Sequence, residues 1–140
     1  MISFENELKK VFDDKQSGSA SVLQKLIEAL LNYFGMPESK PDPIRRKIPL
    51  MKKHLGHFAV VSHFLAAFEK IFNTETRMSR EKVIDFLTSY KREWANVNSG
   101  VARQVCKIID GSGKTFLLHS NSSVIVSFFK CLKANHTKVK

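Results

Sequence analysis

Acidic residues are scarce in this 140-residue chain: 13 Asp and Glu stand against 23 Lys and Arg, a formal net charge of +10. That imbalance favours an anionic partner, whether nucleic acid, a phosphorylated metabolite or an acidic protein, without choosing among them. Cysteine is scarcer still. Cys106 and Cys131 lie far apart and no CxxC pair occurs, so the metal and redox motifs built on it are excluded. Two free buried thiols in a reducing compartment are the expectation. No apolar run approaches the ~20 residues that span a bilayer, and residues 1–10 lack the apolar block of a signal peptide. A cytoplasmic protein with no membrane partner follows as the expectation. The sequence has no internal repeat and no low-complexity tract. What it has in quantity is large apolar side chains, 43% hydrophobic residues with eleven Phe among them. That suffices for a packed core in one domain, or a domain and a fragment.

Apolar periodicity predicts mainly helix. Residues 3–12 place Phe4, Leu8, Val11 and Phe12 on one side, and residues 13–20 read as a polar connector. A second helix is expected over 21–34, where Val22, Leu23, Leu26, Ile27, Leu30, Leu31 and Phe34 recur at steps of three and four. Gly35 stands where a left-handed C-terminal cap belongs. Pro37 and Pro41 exclude helix over 36–42; Asp42 and Pro43 then open a short helix or turn that Pro49 interrupts. A third helix is expected over 50–72, with so broad an apolar face that it must be buried between several neighbours. The fourth, residues 79–109, carries Val83, Leu87, Tyr90, Trp94, Val97, Val101, Val105 and Ile108 on one stripe. It would be roughly 45 Å long, with Asn98, Ser99 and Gly100 weakening its middle. From residue 110 the texture changes to a turn (110–113), a short buried strand (115–118), a helix (122–134) and a second strand starting at 137. Strand, helix and strand at this length predict a parallel βαβ unit. Two domains follow: residues 1–110 helical, and residues 111–140 the opening of an α/β domain. Because two short strands cannot form a parallel sheet alone, the chain reads as the front of a longer or truncated protein.

Four motifs invite a function. Residues 111–115 (GSGKT) lack the glycine that a phosphate-binding loop needs at position 108, and they follow a helix instead of a strand; nucleotide binding is rejected. His54 and His57 share a helix face while His63 points elsewhere, and no acidic residue lies between Lys52 and Ala67 to complete a metal site. Neither metal nor cofactor is expected. Lys40, Arg45, Arg46, Lys47, Lys52 and Lys53 form a basic run without interleaved aromatics, which favours a solvated face over a nucleic-acid platform. Nor does any carboxylate pair or Ser–His–Asp ordering stand out for catalysis. Ser120, Asn121, Ser122 and Ser123 lie between the expected strand and helix, where open parallel sheets bind ligands. Their hydroxyls could hold a phosphate or merely cap the helix, and the two readings stand level.

The segment Ile108–Gly111, then Phe116, Leu117, Leu118, His119, Ser120, Asn121, Ser122, Ser123 and Val124, with Lys138 and Val139 beyond, resembles the translation initiation factor 2B alpha/beta/delta family. The resemblance covers residues 108–139. It implies an N-terminal helical bundle joined to a Rossmann-like domain, and one of two functions. The first is that of regulatory subunits of the guanine nucleotide exchange factor for initiation factor 2. The second is isomerisation of methylthioribose-1-phosphate or ribose-1,5-bisphosphate. The isomerases carry a catalytic cysteine where this chain has Ser120, whose hydroxyl is a far poorer acid or base than a thiol of pKa ~8.5. Their Arg-Gly-Ala segment is absent, their catalytic aspartate falls beyond Lys140, and Leu118 replaces the usual threonine. The expectation is therefore a non-catalytic, factor-2B-like regulatory protein with a degenerate sugar-phosphate site, acting by association with other subunits or with itself through the α/β domain. An isomerase relative lacking its catalytic half and a basic nucleic-acid-binding module are the alternatives.

Overall fold

The computed structural model describes residues 3–109, 115–118 and 122–135. Six helices account for the regular structure among them: α1 (Phe4–Phe12), α2 (Ser19–Gly35), α3 (Pro41–Leu55), α4 (Ala59–Thr74), α5 (Arg80–Ile108) and α6 (Ser123–Ala134). The chain forms two compact units, Met1–Lys91 and Arg92–Lys140.

In the first unit, the spacing of apolar residues decides which helix faces meet. Ser3 caps α1, its hydroxyl accepting from the Asn6 N–H at 3.4 Å, with Glu5 and Glu7 in the positive first turn. Phe4, Leu8 and Val11 are buried where α1 packs on α2. From α2, Val22, Leu23, Leu26, Ile27, Leu30 and Phe34 are almost fully enclosed, and α4 packs against both α2 and α3. Val61, Phe64, Leu65, Phe68 and Phe72 of α4 therefore fill the centre, each contributing about 1.5–3 kcal/mol by leaving water. Phe64 and Phe68 stack at 5.5 Å, and both pack near Phe86 of α5, at 6.3 and 5.8 Å.

Three local expectations are corrected here. Gly35 ends α2 without entering the left-handed region. Met36 precedes Pro37, and the proline ring forces it into extended backbone at φ −78°, ψ 133°, which stops the helix without a glycine cap. The orphan carbonyls find Arg80 instead: its Nε–H donates to Phe34 at 2.7 Å and its Nη2–H to Gly35 at 3.4 Å. Second, α3 runs through Pro49. Ile44, Ile48, Met51 and Leu55 form one buried stripe, and Pro49 faces solvent, so burial outweighs the one lost helical hydrogen bond. Third, the expected helix over 50–72 is two helices, because the chain turns at Gly56. A β-carbon there would lie 2.4 Å from the Lys52 carbonyl oxygen.

The second unit overturns the α/β expectation. Among the described residues there is no strand: 115–118 is irregular backbone, and residues 137–140 lie outside them. A parallel strand is held by neighbours on both edges and cover on both faces. Leu117 is instead 100% exposed, and only Phe116 packs, ring to ring with Phe128 and Phe129 of α6. No strand–helix–strand piece, Rossmann-like or otherwise, exists among the described residues. The apolar stripe of α5 is left open here. Val97, Val101 and Ile108 point outward, at 41%, 44% and 83% exposure, while Ala102 is the buried residue.

Candidate functional site

The serine turn divides at the edge of the described residues. Ser120 and Asn121 lie outside them. Ser122 is the N-cap of α6, its hydroxyl accepting from the Ile125 N–H at 3.3 Å, and the Ser123 hydroxyl accepts from the Asn98 side-chain amide of α5 at 3.0 Å. Helix capping and a tie between α5 and α6 thus account for both described serines. Residues 115–118, which would have formed the strand aiming them at a ligand, are irregular backbone.

Helix α3 sorts the basic run by its 100° turn per residue. Lys47 reaches Glu5 at 3.3 Å and Lys52 reaches Glu69 at 2.5 Å, both half-buried beside the packed face. A hydrogen bond from its own backbone, then the Lys47 ammonium, hold the Glu5 carboxyl below its ordinary range. Arg45, Arg46 and Lys53 occupy the opposite, solvent face with Asp42, Pro49 and Leu50, the last 42% exposed. These three cations have no ion-pair partner among the described residues.

The histidines separate. His54 stacks on Phe12 at 4.4 Å, His57 leans on Phe58 at 4.1 Å, and His63 Nδ1 lies 3.3 Å from the Tyr90 hydroxyl. No group of three metal-ligating side chains gathers among the described residues. Residues 111–114 of the GSGKT stretch lie outside them.

Two features were missed in the sequence. An open groove of about 960 Å³ runs beside α1 and α2, lined by Glu7, Lys10, Asp14, Lys25, Glu28 and Asn32 among others. Within it Lys25 reaches Asp14 at 2.6 Å, and Glu28 is paired with Lys91 at 3.2 Å. Nothing in the sequence marks it, since it arises from the crossing of two helices. The second is the outward row Val97, Val101 and Ile108. Its spacing marks one helix face but not whether that face is covered.

Among the described residues, no helix is long and apolar enough to cross a membrane. No family model matches the chain, and no match was found among curated proteins or solved structures.

Proposed function

We propose that the chain is a non-catalytic binding protein, factor-2B-like over residues 108–139, which docks an acidic protein subunit through the outer face of α5. One observation carries the reading: Val97, Val101 and Ile108 lie within about 40° of one another around the helix and are all exposed. An apolar row of this kind on a surface helix is the usual anchor of a helix-face interface. The surrounding charge narrows the partner. Residues 92–140 hold eight Lys and Arg against Glu93 and Asp110, so two copies of this surface repel each other and an acidic surface attracts it. The resemblance points to subunits of the initiation factor 2 exchange factor as the proteins to try.

The test mixes the purified chain with those subunits and follows complex formation by light scattering. A complex that Val101→Glu abolishes, with the helical content retained, supports the reading. Failure of the wild-type chain to bind, or turnover of either sugar phosphate, overturns it.

A second reading has an observation of its own in the unpartnered Arg45, Arg46 and Lys53. If this face holds nucleic-acid phosphates, three contacts give a slope of log affinity on log salt of roughly −2 to −3. Replacing all three with glutamine removes that slope; a slope unchanged by the replacement rejects the reading.

A further inference from the structure

The second unit contains both cysteines, Cys106 on α5 and Cys131 on α6, each half-buried. The Cys106 Sγ–H donates to the Phe128 carbonyl at 3.6 Å. Phe128 lies one turn before Cys131 on the same helix, and helical side chains lean toward the N-terminus over the preceding turn. Cys131 therefore leans over the carbonyl that Cys106 touches. Burial first, then the neighbouring Cys131 thiol, push the Cys106 thiol up to about 11. Earlier on α6, Phe128 and Phe129 lie 5.3 Å from each other with Phe116 against both. Ala102 and Leu132, the fully buried apolar residues of this unit among those described, lie one turn and one residue away.

We propose that Cys106 and Cys131 are an oxidisable dithiol that closes into a disulfide joining α5 to α6. The oxidant is a peroxide. One of the two cysteines, as its thiolate, attacks a peroxide oxygen; the O–O bond breaks and the departing hydroxide leaves as water with the proton that thiol gave up. The resulting sulfenic acid is attacked by the sulfur of the other cysteine. An S–S bond forms, the S–O bond breaks, and a second water leaves with the second thiol's proton. Two thiols and one peroxide become one disulfide and two waters, with two electrons passing from sulfur to oxygen. The link clips together a helix pair that has little buried apolar surface of its own. It acts on the unit that bears the Val97, Val101 and Ile108 row but does not depend on that row having a partner.

The test exposes the reduced full chain to hydrogen peroxide and reads intact mass, free thiols and peptide maps without reductant. A monomer lighter by two hydrogen atoms, with Cys106 and Cys131 peptides cross-linked, is expected, and a dithiol reductant reverses it. Amide exchange in α6 then slows by roughly tenfold or more, as a loop-closing link requires. In Cys106→Ser and in Cys131→Ser the remaining cysteine stops at the sulfenic acid and no disulfide forms within the chain. Disulfides between chains, separate over-oxidation of each cysteine, or thiols untouched under conditions that oxidise the unfolded chain would each overturn the proposal.

Discussion

Arg80 shows how a single side chain replaces a motif. The last carbonyls of α2 would be orphaned where Pro37 stops the helix, and the guanidinium supplies donors to Phe34 and Gly35 across 46 and 45 residues of sequence. Hydrogen bonds from a charged donor to partly buried carbonyls are worth more than neutral ones. Arg80→Ala is expected to lower stability by about 1.5–3 kcal/mol. Urea denaturation should show the midpoint falling at unchanged slope. Asp14 acts at the same scale in the connector before α2. Its carboxylate accepts from Lys25 Nζ at 2.6 Å and from the Gln16 and Ser17 N–H groups at 3.0 and 2.9 Å. The Lys25 bond first, then Ser17, hold its pKa well below the ordinary carboxylate range. A depressed folded-state pKa gives stability that is complete above the unfolded value near ~3.9 and is lost as pH falls toward the folded one. Asp14→Asn should be the less stable protein at pH 7 and show a shallower decline below about pH 4. Urea midpoints across that range decide the point.

At the scale of elements, α3 and the turn after it are the informative pieces. Proline inside a helix removes one N–H bond and crowds the carbonyl four residues back, at a cost of about 3 kcal/mol relative to alanine. The helix continues because Ile44, Ile48, Met51 and Leu55 are all enclosed, and their combined burial exceeds that penalty. Pro49→Ala should accordingly stabilise the protein, by about 1–2 kcal/mol once the added freedom of the unfolded chain is subtracted. The opposite result is expected at Gly56, where a β-carbon meets the Lys52 carbonyl at 2.4 Å. Gly56→Ala must open the turn between α3 and α4 and should cost about 1–3 kcal/mol. Thermal melts of the two variants moving in opposite directions would check both. A sequence pattern cannot separate these cases, because Pro49 looks like a break and Gly56 looks like a tolerated helix residue. The sign in each comes from what surrounds the backbone.

For the whole molecule, the two compact units differ in what encloses them. In Met1–Lys91, five helices or parts of helices cover phenylalanines at 0–5% exposure, whereas Ala102 and Leu132 are the fully buried apolar residues described in Arg92–Lys140. Apolar burial is the main favourable term, so the second unit should open at lower free energy. Hydrogen exchange is expected to place α6 amides well below those of α2 and α4 in protection; equal protection would refute this. The sequence alone determined the helical character of the first unit, because Phe4, Leu8 and Val11, or Leu23, Ile27, Leu30 and Phe34, repeat at a spacing only a helix can bury. It also offered Ser122 as a helix cap, level with a phosphate-binding role, since capping depends on residues within one turn. Tertiary structure decided the rest. The run Thr115–Leu118 reads alike as strand or loop, and a strand needs partners whose presence no local pattern encodes. Likewise Val97, Val101 and Ile108 repeat as a core stripe does, yet periodicity says only that residues share a face. Which face is covered depends on what packs against it, and there α6 meets α5 through Asn98 and Cys106.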